Sequence, residues 1–163
     1  MVWSPALLAP GATLTDEEVN TLLSGPYYAL LASSPQSIAN SSNTPLSFGS
    51  VVEYNSRYSA VSTPATVVAA PIDGLYLAIG TVTFAANATG YRAAWLSMDG
   101  TSVGGEQGPG SSSVPWAAQV VGIKSLSAGD QISLDVYQNC TAALNTSPAT
   151  LSGCSLTVRW IGL

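Results

Sequence analysis

The 163-residue sequence has the length of one domain, and only 8% of its residues are charged, against about 25% in an average soluble domain. The net charge is −5, so the chain cannot build the basic face that nucleic-acid binding requires. Hydrophobic residues make up 47%, which is ample for a core. So little charge favours a protein that lives in an assembly or outside the cytosol over a free cytosolic enzyme.

No apolar run reaches the roughly 18 residues of a membrane span, so we predict no membrane insertion. The N-terminus, residues 1–5, has no basic segment and does not look like a secretory signal. We therefore expect a mature chain, or a chain that leaves the cell by another route such as lysis.

The first 44 residues contain the clearest helix pattern in the chain. Thr15 and Glu18 form a capping box, in which each side chain satisfies a free backbone N–H at the helix start. Apolar residues follow at helical spacing until Gly25 and Pro26 end the helix. A helix this short is marginal alone, so its apolar face must dock on the body or on a partner. The candidate anchor residues are Trp3, Leu14, Val19, Leu22 and Leu23.

Residues 27–32 could form a strand or a second short helix, and residues 33–45 have the Ser, Asn and Pro content of a linker. We therefore predict an N-terminal attachment arm over residues 1–44 and a globular domain over residues 45–163. Trp3 has no core within reach in sequence. Because tryptophan is frequent among binding hot spots, we interpret it as an anchor in a partner's pocket.

From residue 46 onward the apolar pattern has a period of two, which indicates strands separated by Gly, Pro and Asn turns. About eight short strands indicate an all-β antiparallel sandwich or barrel. Asp99-Gly100 is a strong hairpin signal, and the Gly-rich residues 101–115 are expected to form a flexible surface loop. In the strand at 131–137, Ile132, Leu134 and Val136 are expected to face the core. The other predicted strands cover 46–52, 53–58, 66–70, 75–84, 91–98, 116–124 and 155–163.

The strand predicted at 75–84 is apolar on both faces, whereas a strand of a one-sided sheet would alternate apolar and polar residues. It must therefore be covered twice. A loop of the same chain over a central strand is one explanation, and a neighbouring subunit is the other. The first face carries Leu75, Leu77 and Ile79, and the second carries Tyr76, Ala78, Val82 and Phe84.

The chemistry-bearing residues do not form a catalytic pattern. The absence of histidine excludes the common general base and the serine–histidine triad. Asp73, Asp99 and Asp130 each stand beside a glycine at a predicted turn, where a hydrogen bond to the local backbone explains them. The other carboxylates are too sparse for a calcium site. We predict no enzyme activity, no catalytic residue, no metal and no cofactor.

Three further residues are candidates for ligand contact. Glu106 and Gln107 lie in the predicted loop, and Trp116 follows it. Trp116 is either a packing residue at the start of the next strand or a contact exposed at the loop tip. Separately, Cys140 and Cys154 flank a polar segment and could be joined by a disulfide across neighbouring strands. Two buried, unbonded thiols are the alternative that we favour.

Three motifs between Leu46 and Leu163 carry a resemblance. Leu46-Ser47-Phe48 is similar to an opening strand with its characteristic phenylalanine, and residues 72–77 are similar to the Gly-x-Tyr part of a Gly-x-Tyr-x-Phe motif, whose Phe this sequence lacks. Residues 125–134 are similar to the motif Leu-x-x-Gly-Asp-x-Val-x-Leu. Together they resemble the globular head of complement component one q, in the tumour-necrosis-factor-like jelly-roll superfamily. The resemblance implies a ten-stranded jelly roll and a compact homotrimer.

The N-terminal arm carries a second resemblance. Trp3, Gly11, Leu14-Thr15 and Asn20 resemble the pattern that opens many small virion proteins of tailed bacteriophages, where such arms attach a distal domain to a particle. The collagen stalk of the animal complement branch needs a Gly-x-y repeat, and the sequence has none. The resemblance implies a virion protein that is assembled in the host cytoplasm and then carried outside the cell on the particle surface.

The favoured hypothesis is therefore a non-enzymatic, homotrimeric capsid decoration protein, held on the major capsid protein or another virion protein by its arm. A tail-tip or head-fibre adhesin that binds a host surface glycan is the first alternative, and a secreted cytokine-like or lectin-like module is the second. For the trimer we predict that Tyr76, Ala78, Val82 and Phe84 line the subunit seam, because aromatic residues are enriched at interfaces.

Overall fold

The computed structural model describes residues 25–55, 58–147 and 153–162 of the chain. Within these residues every regular element is a strand, and eight strands are at least five residues long, which confirms the predicted all-β class. The predicted N-terminal helix lies outside the described residues. The strands are β1 (Tyr27–Leu31), β2 (Ser37–Ile38), β3 (Thr44–Pro45), β4 (Ser50–Tyr54), β5 (Val68–Ala69), β6 (Gly74–Phe84), β7 (Tyr91–Met98), β8 (Thr101–Pro109), β9 (Trp116–Leu126), β10 (Gln131–Gln138), β11 (Leu144–Asn145) and β12 (Ser155–Gly162).

Two antiparallel sheets make up the sandwich. The first sheet has the order β4-β1-β12-β6-β9, and the second has the order β3-β10-β7-β8, with β5 also paired to β10. A separate two-stranded pairing joins β11 to β2. Strands that follow one another in sequence, such as β6 and β7 or β8 and β9, lie in different sheets. This repeated crossing between two sheets is the connection pattern of a jelly roll.

The core lies between the inward faces of β6 and β10. Ile132, Leu134 and Val136 are fully buried, as their alternation with polar residues predicted. On the opposite sheet Gly80 has no side chain where β6 passes β10, and a Cβ there would lie 2.7 Å from Leu134 Cδ1. The glycine therefore lets the two sheets approach closely at the centre of the sandwich.

The predicted subunit seam on β6 is wrong. Tyr76, Ala78, Val82 and Phe84 have no exposed side-chain surface within the single chain, so they belong to its own core. The opposite face of β6 points out of the sandwich, and its residues from Leu75 to Thr81 are only half-buried. The sequence indicated that both faces of this strand must be covered. The structure shows that β10 and its neighbouring strands cover the Tyr76 face.

The predicted boundary at residue 45 is also wrong for the part of the arm that is described. Strand β1 lies inside the first sheet, paired with β12 on one side and with β4 on the other. Its side chains Tyr28 and Leu30 are buried in the core. Residues 33–45, predicted as a linker, contain β2 and β3. The sandwich therefore extends N-terminally to at least residue 27, and residues 1–24 lie outside the described residues.

The hairpin predicted at Asp99-Gly100 is confirmed, since both residues have positive φ, 52° and 67°, and join β7 to β8. The flexible loop predicted over 101–115 is wrong for residues 101–109, which form β8. Gly104 is the extra residue of a β-bulge opposite Trp95 and Leu96, with φ of 73°. A Cβ on Gly104 would collide with the carbonyl oxygen of Val121, so this glycine also lets β8 pack against β9.

The two cysteines are buried and unbonded, which confirms the favoured alternative over a disulfide. Cys154 ends the approach to β12, and its thiol lies 3.9 Å from the carbonyl oxygen of Thr83. Burial raises the pKa of the Cys154 thiol above its ordinary value. Cys140 and Cys154 thus serve as small core residues.

Candidate binding surfaces

The first candidate surface is the outward side of the five-stranded sheet, which we call the apolar face. Its central residues lie on two neighbouring strands, where Leu77 pairs with Ile123 and Ile79 pairs with Val121. Val121 and Ile123 are 50% and 54% exposed, although both are large aliphatic side chains in the middle of a long strand. We define the apolar face as Leu75, Leu77, Ile79, Val121 and Ile123.

Polar and mixed residues border the apolar face on the β12 side. Arg159 is exposed and pairs with Leu77, and Thr157 pairs with Ile79. Beyond them the hydroxyls of Thr81 and Ser155 share a hydrogen bond of 2.8 Å. A contiguous apolar centre with a polar border has the anatomy of a protein–protein interface.

The sequence pointed to this face only in part. Leu75, Leu77 and Ile79 were recognised as one of the two apolar faces of the strand, but they were expected to be the core set. Val121 and Ile123 were missed. The signal was present, because residues 120–123 read Val-Val-Gly-Ile and a strand places consecutive residues on opposite faces. Both faces of β9 therefore had to be apolar there.

Tyr76 shows why its face is not available to a partner. Its hydroxyl donates a hydrogen bond to the carbonyl oxygen of Ile72 at 2.8 Å, and its ring is completely covered. Burial raises the pKa of Tyr76 well above its ordinary value. A satisfied, enclosed phenol is a core group.

The three residues of the predicted ligand loop lie on two different strands. Trp116 is half-buried at the start of β9, with its ring centroid 6.0 Å from that of Phe84, which is the packing role. Gly108 makes room for it, since a Cβ there would lie 2.6 Å from the indole Nε1. Glu106 and Gln107 are exposed on β8, paired with Ala94 and Ala93. The three residues therefore do not share one loop tip.

The anchor residues Trp3, Leu14, Val19, Leu22 and Leu23 lie outside the described residues, so their role stays a prediction. Among the residues that are described, no group of three or more His, Cys, Asp or Glu side chains is placed to hold a metal ion. In the same residues, no helix has the length and apolar character needed to cross a bilayer.

Two of the aspartates at predicted turns accept backbone hydrogen bonds. A carboxylate oxygen of Asp73 accepts the backbone N–H of Ala128 at 2.8 Å. A carboxylate oxygen of Asp130 accepts the backbone N–H of Ser127, also at 2.8 Å. Both contacts fix the turn between β9 and β10. The bond of Asp130 is local and confirms its predicted turn role, whereas Asp73 bonds to a residue 55 positions away and not to its own turn.

A groove of about 680 Å³ opens beside β5, lined by Tyr28 and by the segment from Ser59 to Pro71. The hydroxyl of Tyr28 donates to the carbonyl oxygen of Ser59 at 3.3 Å, so the polar group nearest the core is already satisfied. The remaining lining is mostly small aliphatic and hydroxyl side chains. The groove therefore offers no constellation of polar groups that would orient a ligand.

No protein-family model matches this sequence, and no curated protein matches it. Solved structures do match the fold. Murine APRIL at pH 5.0 superposes with a TM-score of 0.62 at 18% identity, over 83% of this chain and 98% of the other. The structure of murine APRIL at pH 8.0 gives a TM-score of 0.60 at 19% identity, over 83% and 98%. The globular domain of the zebrafish complement 1qA protein gives 0.60 at 11% identity, over 83% and 97%. At these identities the likeness concerns the fold, which is the jelly roll shared by tumour-necrosis-factor-like and complement one q-like domains.

Proposed function

We propose that this protein is a non-enzymatic, homotrimeric jelly-roll module that decorates the surface of a viral particle. The observation that carries the proposal is the apolar face, because side chains such as Val121 and Ile123 remain half exposed on a regular strand. Covering them with other copies of the chain removes apolar surface from water, at about 25 cal/mol for each Å². Self-association is the function that this geometry supports best.

A closed trimer is the arrangement that the fold favours. Homo-oligomers usually close through point-group symmetry, which gives each copy the same environment and leaves no apolar face uncovered. The resemblance of residues 46–163 to a superfamily of compact trimers supports three copies. The apolar face extends onto β9, which is the edge strand of its sheet, so a neighbouring copy could pack along that edge as well.

The attachment to a particle rests on the N-terminal segment and on composition. Trp3, Leu14 and the residues that follow resemble the arms of phage virion proteins, and a chain with 8% charged residues suits a permanent assembly. Three arms on one trimer each make a modest contact, and the linkage multiplies their strength. Binding that favours the assembled shell also stabilises it.

The decisive experiment combines the mass of the assembly with the loss of the arm. Chromatography with light scattering should give about three times the 16.6 kDa of the chain, and a clean monomer would overturn the trimer. A cut after residue 24 leaves β1 in place, so the shortened chain should stay folded and trimeric but no longer bind viral particles. If it still binds them, the anchor proposal is wrong.

A soluble, cytokine-like module is the second candidate, and the likeness to murine APRIL favours it. The same truncated chain separates the two. A cytokine-like ligand would bind a receptor-bearing cell through the jelly roll alone, and removal of residues 1–24 would leave that binding unchanged. A decoration protein would show no such cell binding in either form.

A further inference from the structure

The outward side of the second sheet has a different chemistry from the apolar face. Strands alternate inward and outward residues, so the outward positions can be identified from β7, β8 and β10, which pair side by side. These positions carry large aromatic rings next to hydrogen-bonding groups. We call them the aromatic-polar face and define it as Tyr91, Trp95, Gln107, Asp135 and Tyr137.

The strand register brings these residues into two adjacent rows. In the first row, Asp135 pairs with Trp95, and Trp95 pairs with Gly105. In the second row, Tyr137 pairs with Ala93, which in turn pairs with Gln107. The rows are two residues apart along β7, so they are nearest neighbours on one side of the sheet.

Two positions on this surface carry little or no side chain. Ala93 stands between Tyr137 and Gln107, and Gly105 stands next to Trp95. A Cβ on Gly105 would lie 3.2 Å from Trp95 Cβ, so even alanine would crowd the tryptophan here. From this register we infer that Ala93 and Gly105 form the floor of a shallow depression, with Trp95, Tyr137 and Gln107 around it.

The tyrosine pair gives the depression a preformed wall. The rings of Tyr91 and Tyr137 stack with centroids 5.4 Å apart and an interplanar angle of 28°. Tyr91 is 40% exposed, so part of this aromatic surface faces solvent. A stacked pair is held in place by its own contact, and binding to it costs little side-chain entropy.

A carboxylate stands on the other side of Trp95. The hydroxyl of Ser133 donates a hydrogen bond to Asp135 Oδ1 at 2.9 Å, which fixes the orientation of the carboxylate. Asp135 is half-buried, and the hydroxyl of Ser133 bonds to only one of its two carboxylate oxygens. An oriented carboxylate and the amide of Gln107 are acceptors and donors that suit hydroxyl groups.

Charge narrows the ligand class. In the described part of the chain, Arg92 is fully buried, Arg159 lies on the opposite sheet, and Lys124 contacts Met98 and Thr101 at the far end of the β7–β8 hairpin. The aromatic-polar face thus presents one carboxylate and none of these cations. An anionic ligand would be repelled, whereas an uncharged ligand with many hydroxyls would not.

We propose that the aromatic-polar face is a binding site for a neutral oligosaccharide. The C–H face of a sugar ring packs on the face of Trp95, because an aromatic ring is electron-rich there. Its hydroxyls bond to Asp135 and Gln107, and the floor at Ala93 and Gly105 admits the ring. The site lies on the sheet opposite the apolar face, so it remains free whether or not the chain trimerises. The inference therefore does not depend on the proposed capsid role.

The first test uses the full chain and an oligosaccharide array. The array carries oligosaccharides of glucose, galactose and N-acetylglucosamine beside sialylated and sulfated counterparts. We expect saturable binding to at least one neutral oligosaccharide, followed by isothermal titration with that compound. Binding to acidic members alone, or to no member of the array, would overturn the proposal.

The second test localises the site with matched variants. Trp95→Ala should weaken the binding of the titrated oligosaccharide by at least about tenfold, the loss typical of an aromatic hot spot. Tyr54→Ala removes an aromatic residue that is 40% exposed on the other sheet and should change the dissociation constant by less than about twofold. If the two variants change the dissociation constant equally, the oligosaccharide does not bind at the aromatic-polar face.

Two more variants keep the test decisive if Trp95→Ala unfolds. Gln107→Ala removes only an exposed side chain, and Ala93→Leu fills the floor of the depression from an outward position. Both should abolish or strongly weaken binding while circular dichroism and the trimer mass remain those of the parent. If Ala93→Leu is folded and binds normally, the depression is not the site and the proposal fails.

Discussion

The two outward faces of this sandwich are built from the same alternation of residues, yet their chemistry is opposite. The apolar face presents Leu77 and Ile123 on paired strands, and the aromatic-polar face presents Trp95 and Asp135 on paired strands. Each face therefore predicts a different partner. Aliphatic side chains gain by being covered permanently, because they lose no hydrogen bond with water.

Aromatic rings with hydrogen-bonding neighbours suit a ligand that binds reversibly. Tyr137 and Gln107 stay hydrated when the face is free and can exchange water for ligand hydroxyls at small net cost. Exposure alone therefore does not identify a binding surface. The strand with the highest apolar content, β6, has its most conspicuous aromatic residue buried, while a polar sheet carries the exposed aromatic cluster.

The largest loss of stability is expected from a charge on the side of β6 that faces the core. Tyr76→Asp places a carboxylate in the core, where an unpaired charge costs about 3–5 kcal/mol, a large share of the roughly 5–15 kcal/mol of a typical domain. We expect no cooperative unfolding transition in circular dichroism. Tyr76→Phe is the control. It should lower the free energy of unfolding by about 1 kcal/mol, because it removes only the hydrogen bond to Ile72. A folded, monomeric Tyr76→Asp protein would return this residue to the subunit seam.

The next substitution should prevent trimer formation without unfolding the subunit. Ile123→Asp introduces the same charge on the apolar face, where water remains in contact with the side chain of the free subunit. The expected product is a folded monomer with a mass near 16.6 kDa by light scattering. Gln107→Asp puts an identical charge on the exposed strand of the other sheet and should leave the trimer intact. A trimer that survives Ile123→Asp would show that another face mediates association.

Strong periodic segments could be predicted from the sequence, and the reason is physical. Strands β6, β7, β9 and β10 match the predictions within about two residues because period-two alternation and flanking turns both mark them. The hairpin at Asp99-Gly100 follows from the need for positive φ at both positions. The core assignment on β10 was equally clear, since only one of its faces is apolar.

The parts that failed depend on contacts distant in sequence. Tyr27–Leu31 is locally ambiguous, and it is a strand because β12 and β4 pair with it from both sides. Residues 101–109 have loop composition, but Gly104 and Gly108 serve a bulge and a tryptophan contact rather than flexibility. The choice between the two faces of β6 required knowing which face meets β10. No local pattern contains that information.

A smaller loss of stability is expected at the contact between β8 and β9, where the two sheets meet beside the apolar face. Gly104 and Gly100 have nearly the same positive φ, 73° and 67°, but only Gly104 has a neighbour that a Cβ would strike, Val121 O. Gly100→Ala should cost about 1 kcal/mol, the backbone strain alone. Gly104→Ala should cost at least about 2 kcal/mol, because strain and overpacking add. Denaturant midpoints compare the two, and equal losses would mean that β8 does not press on β9.

The smallest effect concerns the carboxylate of the aromatic-polar face. Burial raises the pKa of Asp135 above its ordinary 3.8, and the hydrogen bond from Ser133 opposes this shift. Between the ordinary and the raised pKa the unfolded chain has lost a proton that the folded chain retains, so the Asp135 contribution to stability falls as pH rises.

Asp135→Asn removes this contribution. Its free energy of unfolding, relative to the parent, should therefore increase from pH 3.8 upward and then become constant. The change should stay below about 1 kcal/mol, because Asp135 is half exposed and solvent screens it. Ser133→Ala, which removes the donor that favours the ionised form, should move the fall in stability of the Asp135-containing chain to higher pH. If the relative free energy of Asp135→Asn is flat across pH 3–8, the carboxylate is as well solvated as an ordinary surface aspartate, and the aromatic-polar face is more open than its burial indicates.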